Sequence, residues 1–267
     1  MNRGRHGGTI TAAALLPHAP VLVEAVGGRN PALAATRASI RTAARHLDQS
    51  RPRTLVMLDA TGASRGLAVL GAPTVGGDFA ALGAPGADVR WEGDVRLTRD
   101  LAAALDTEAT AGEQRWRVTE RLTLPGPSLA VCGTLEEGGF RCPLVVVTAV
   151  AVDLDRCLAA GKVLAAVADA TALRLAVVAV GNLTGPLLAP GLDEWLRGWV
   201  ESGRPEDILA VDRSWEAEPV LRPLALLAGA VAGCGVAGEV LGLEAPLGMG
   251  FATAVWRRRD GAARACH

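Results

Sequence analysis

The stretch Thr9-Ile10-Thr11-Ala12-Ala13-Ala14-Leu15-Leu16-Pro17-His18-Ala19-Pro20 carries the first decision about the fold. Thr9 to Leu16 is a short apolar run, which predicts a buried strand. Pro17 and Pro20 stop it and bracket His18, because proline cannot donate to a strand ladder. Working outward, Thr54–Leu58, Pro143–Val152 and Ala172–Val180 repeat the apolar run, and Phe251–Trp256 predicts a closing strand. Helical spacing of apolar residues predicts helices over Pro31–Leu47, Asp94–Leu105, Leu154–Ala168, Leu192–Ser202, Glu206–Ala210 and Arg222–Val231. Trp116–Leu124 and Ser128–Thr134 read as two strands separated by Pro125-Gly126-Pro127, and the glycine-rich residues 62–90 read as loop with short pieces of structure. Apolar strands alternating with helices predict an α/β fold, a layered mixed sheet flanked by helices and largely buried on both faces. The expected organisation is a flexible tail over residues 1–8, one domain over residues 9–256, and a polar tail over residues 257–267.

Half of the 267 residues are hydrophobic, enough for a sizeable core. The chain has no Tyr, three Phe and a net charge of −1, which argues against nucleic acid as a partner. Five scattered cysteines with no C-x-x-C pair suit a reducing, cytoplasmic setting. The apolar stretch after Arg3 and Arg5 is broken at Pro17, so it makes a poor signal peptide, and no run is long enough to span a bilayer.

Two motifs tempt a functional reading. Gly62-Ala63-Ser64-Arg65-Gly66 spells the G-x-S-x-G of a serine-hydrolase elbow after a strand. The following Gly71-Ala72-Pro73 makes a poor helix, however, and the only downstream histidine is the terminal His267. An ordinary turn is the better reading, with a serine hydrolase through Ser64 as a minor alternative. Gly233-Cys234-Gly235-Val236-Ala237-Gly238 spells a dinucleotide fingerprint but follows a segment that reads as helix, not strand. Ala160-Gly161-Lys162 lacks the upstream glycine of a phosphate loop. Of the four histidines, His6 and His267 lie in the tails and His46 lies among charges on a helix. His18, gripped between prolines at a strand end, is the one candidate ligand or catalyst among them.

Leu15-Leu16-Pro17-His18-Ala19-Pro20-Val21-Leu22-Val23 resembles the opening of the catalytic chain of the class III extradiol ring-cleavage dioxygenases (the LigB-type family). Further segments fall in that family's order. Thr54-Leu55-Val56-Met57-Leu58-Asp59-Ala60-Thr61-Gly62 is similar to a strand ending in Ser-Pro-His-Gly, and Gly77-Asp78-Phe79 with Leu82-Gly83-Ala84-Pro85 to a Gly-Asp…Phe-Gly-Ala-Pro stretch. Leu135-Glu136-Glu137-Gly138 with Pro143-Leu144 resembles an Asp-His-Gly…Pro-Leu segment, and Val180-Gly181-Asn182-Leu183-Thr184-Gly185 resembles Ser-Gly-Asp-Leu-Ser-His. Ala217-Glu218 with Leu221-Arg222-Pro223-Leu224, and Pro246-Leu247-Gly248-Met249-Gly250-Phe251, resemble the family's Glu-bearing helix and terminal strand.

The resemblance implies an α/β fold of that type and a non-haem Fe(II) site of two histidines and a carboxylate, open to a small aromatic molecule and O₂. A further histidine would serve as acid/base. His18 matches the first metal ligand and Glu218 the carboxylate. Thr61 stands at the second histidine, Glu137 at the histidine of the Asp-His-Gly segment, and Gly185 at the acid/base histidine. Asp59, two residues before Thr61, is a candidate third ligand that with His18 and Glu218 would favour Mn²⁺ or Mg²⁺; the plainer reading is that Asp59 caps a turn and Glu137 lies on a solvated hairpin. Thr61, Glu137, Asn182 and Gly185 would line the pocket. The expectation is a divergent member with an incomplete Fe(II) site, a non-catalytic or regulatory partner in a homo- or hetero-oligomer, with or without a divalent metal. The alternative is an active metal-dependent dioxygenase or hydrolase with a remodelled site.

Overall fold

The computed structural model describes residues 9–61, 66–107, 117–119, 123–183, 191–215 and 218–258. In chain order the strands and helices are β1 (Thr9–Leu16), α1 (Glu24–Gly27), α2 (Ala34–Gln49), β2 (Thr54–Asp59), β3 (Gly66–Leu70), β4 (Thr74–Phe79) and β5 (Ala84–Glu92). There follow α3 (Val95–Thr107), β6 (Arg117–Thr119), α4 (Gly126–Glu137), β7 (Leu144–Val150), α5 (Leu154–Thr171) and β8 (Arg174–Val180). The chain continues with α6 (Leu192–Ser202), α7 (Leu221–Val231), β9 (Val236–Glu244) and β10 (Phe251–Arg258).

Eight strands form one mixed sheet in the order β6-β3-β7-β2-β8-β1-β10-β9, and β4 pairs with β5 in a separate two-stranded sheet. The four central strands β7, β2, β8 and β1 are mutually parallel. Their apolar runs are buried on both faces because side chains alternate across the pleat. Leu15, Val56, Leu58, Val177 and Ala179 join one core with α3, α5, α6 and α7, whereas Leu16, Leu55, Met57, Val178 and Val180 join another with α2 and α4. The expected α/β layering is therefore present.

Three local expectations are corrected. Ser128–Thr134 is not a strand but the body of α4, and Pro125 and Pro127 sit at its start, where a missing N–H costs nothing. Residues 62–90 are not mainly loop, because β3, β4 and most of β5 lie there. Val236–Glu244, assigned to no element from sequence, pairs with β10 at the sheet edge. Gly233 and Gly235 take positive φ of 75° and 60° in the turn from α7 into β9. That order, helix then strand, is the reverse of what a dinucleotide fingerprint requires.

The Ala160-Gly161-Lys162 motif has a packing explanation. A Cβ on Gly161 would lie 2.0 Å from the Leu226 carbonyl oxygen, and one on Gly229 would lie 2.0 Å from that of Leu158. These two glycines let α5 and α7 approach backbone to backbone. In the same core, the α6 indoles of Trp195 and Trp199 stack at 5.9 Å, and Trp199 meets Trp256 of β10 edge-on at 5.7 Å. Among the described residues, no helix is long and apolar enough to cross a membrane.

Candidate functional site

The neighbouring parallel strands β2, β8 and β1 end together: Leu16 pairs with Val180 and Leu58 with Ala179. The residues that follow them, Pro17-His18, Ala60-Thr61 and Gly181-Asn182, therefore gather at the carboxyl end of these central strands. Open α/β sheets place ligand crevices at the carboxyl ends of their strands. Here a cavity of about 250 Å³ is lined by His18, Ala60, Thr61, Val180, Gly181, Asn182, Leu183, Pro219, Val220 and Met249.

Local hydrogen bonds hold the polar members in place. The His18 backbone N–H donates to Asn182 Oδ1 at 2.9 Å, tying the end of β1 to that of β8. The chain after His18 is clamped by the buried Arg37 of α2, whose guanidinium donates to the carbonyls of Val21, Leu22 and Gly28. Gly181 leaves room for Val220, since a Cβ there would fall 2.4 Å from a Val220 methyl. Leu183 N–H donates to the Gly250 carbonyl at 3.0 Å and brings Met249 to the cavity wall.

Asp59, the last residue of β2, is fully buried. Its Oδ1 accepts from the Thr61 N–H at 2.8 Å and the Thr61 hydroxyl at 2.7 Å, and its Oδ2 accepts from the Ser128 hydroxyl at 2.5 Å. These bonds make an Asx-type turn that fixes Thr61 at the cavity wall. Burial holds the His18 imidazole below its usual range, opposed by the negative charge of Asp59 and by a backbone hydrogen bond.

The structure thus brings His18, Thr61 and Asn182 onto one cavity and places Asp59 directly behind Thr61. Glu218 precedes the wall residues Pro219 and Val220, and its carboxyl is pushed up by partial burial. Glu137 is the last residue of α4, not part of a hairpin, and its Oε1 accepts the Glu24 N–H at 2.7 Å at the start of α1. Gly185 and Ser64 lie outside the described residues. Sequence reasoning missed Met249, Val220 and Ser128. The first two look like ordinary core residues, and Ser128 was hidden by reading α4 as a strand.

The family resemblance implies a metal, and the described residues do not fit one. No three His, Cys, Asp or Glu side chains among them gather closely enough to hold an ion. Thr61 stands at the expected second histidine with its hydroxyl hydrogen directed to Asp59, and both Asp59 oxygens are already engaged.

No protein family and no curated protein matches the chain. Among solved structures, the crystal structure of an uncharacterized protein from Escherichia coli K12 is similar, with a TM-score of 0.62 and 16% sequence identity. The match covers 92% of this chain and 99% of that one, and at this identity it speaks to the fold alone.

Proposed function

We propose that the chain is an extradiol-dioxygenase-like protein that binds a small molecule in the His18 cavity and does not cleave catechol rings, acting as a non-catalytic or regulatory member of that fold. The observation that carries this reading is Thr61. At the position of the second metal-binding histidine stands a hydroxyl bonded to a buried carboxylate, facing a largely apolar cavity with one imidazole in its wall. An imidazole, an amide and a hydroxyl around apolar walls suit binding and orientation of a ligand. A facial triad instead needs two imidazoles and a carboxylate converging on one point. The test is anaerobic reconstitution with Fe(II), followed by metal analysis and O₂-uptake assays with catechols. The expected result is less than stoichiometric iron and no ring-cleavage product. Stoichiometric iron together with O₂-dependent ring cleavage would overturn the proposal.

A further inference from the structure

The polar groups around the cavity also bear on which ligand charge it accepts; this rests on the reading above that the cavity is a binding site. Asp59 is buried behind Thr61, and its described partners are three neutral donors, the Thr61 N–H, the Thr61 hydroxyl and the Ser128 hydroxyl. An acceptor-only carboxylate suits three converging donors. Its charge is therefore not balanced by a cation within this hydrogen-bonded group. Among the described residues, neither Lys nor Arg lines the cavity. The hydroxyl of Thr61 has spent its hydrogen on Asp59, so it can only accept from a ligand. The amide of Asn182 has spent its oxygen on the His18 N–H, which leaves its NH₂ to donate. The His18 imidazole also lines the cavity, and burial favours its neutral form; the remaining wall is largely apolar, with Val180, Leu183, Val220 and Met249.

We infer that the cavity selects a small, uncharged, mainly apolar molecule with one polar group able both to donate to Thr61 and to accept from Asn182, and that it rejects the corresponding carboxylate. An apolar cavity of about 150 Å³ holds a benzene ring, so the 250 Å³ here admits one ring with a small substituent. A carboxylate entering it would leave water without meeting a cation and would face the field of Asp59 at short range.

The test is a titration of the full chain at pH 7.5, by ligand-observed NMR, with benzyl alcohol and benzoate as matched probes. Benzoate is expected to bind at least ~10-fold more weakly than benzyl alcohol. Met249→Trp, which fills the wall, is expected to abolish binding of the alcohol; retained binding would put the ligand elsewhere and overturn the inference. Asp59→Asn is expected to narrow the gap between the probes, and an unchanged gap would remove Asp59 as its cause. Should that variant fail to fold, Thr61→Val decides: the alcohol is expected to weaken about fivefold with benzoate unmoved, and equal affinity for the alcohol would overturn the assigned contact. Benzoate binding as tightly as the alcohol would overturn the selectivity while leaving the binding reading intact. Failure of both probes to bind the folded protein would overturn the two together.

Discussion

Asp59 shows how one residue can join fold to site. It ends β2, has no solvent exposure, and accepts three hydrogen bonds while fixing the wall residue Thr61. Hydrogen bonds to charged groups are worth about 1.5–3 kcal/mol when one partner is removed. Ser128→Ala is therefore expected to destabilise the protein by about 1.5–3 kcal/mol, read as a lower urea midpoint with an unchanged slope. A midpoint within error of the parent would show that Asp59 Oδ2 does not depend on Ser128. The position of Asp59 two residues before Thr61 is visible in the sequence. Its partner was not, because Ser128 comes from a helix 69 residues further along the chain.

At the scale of elements, helix α4 was misread for a physical reason. Every residue from Ser128 to Leu135 is buried, so the segment lacks the polar face that gives an amphipathic helix its period. Strands β4, β5 and β9 were missed because Gly76, Gly77, Gly86, Gly238 and Gly242 interrupt their alternation. Helices α5 and α7, by contrast, were recognised, but the closeness of their contact was not. Gly229→Ala is expected to cost about 1–3 kcal/mol, because the new methyl meets the Leu158 carbonyl and the helices must part. Gly198→Ala in α6 is the control, since nothing lies within 4 Å of the added methyl; it is expected to be neutral or to stabilise by up to about 1 kcal/mol. Equal denaturant midpoints for the two variants would contradict the backbone contact.

At the scale of the whole molecule, α2 packs over the sheet, and its half-buried His46 places Nε2 3.2 Å from the Trp256 carbonyl oxygen of β10. Burial chiefly lowers the His46 pKa below its usual 6.5; the Trp256 carbonyl and Glu239 oppose the shift, and Arg257 adds to it. Between the lowered folded value and 6.5 the unfolded chain binds more protons than the folded one. Stability must therefore fall as pH drops below 6.5. Thermal midpoints measured from pH 8 downward are expected to decline there, and His46→Gln is expected to shallow the decline. His18, lowered in the same direction, adds to the decline. An identical slope in the His46 variant would contradict this account.

Much of the layered α/β character was already written in the chain, because short apolar runs bounded by Pro and Gly, alternating with helical spacing, depend on local chemistry alone. The sequence also showed that His18, Thr61 and Asn182 each follow directly on a strand. Only the tertiary structure decided that these strands are the neighbours β2, β8 and β1, which is what turns three distant residues into one cavity. Strand order follows from pairings between segments more than a hundred residues apart, and no local periodicity encodes it. The same holds for Asp59: its carboxyl was visible as a residue, but its commitment to Thr61 and Ser128 depends on which helix covers the end of β2. His18, first seen as a histidine held between two prolines, thus stands beside a hydroxyl and an amide, with a buried carboxylate behind them.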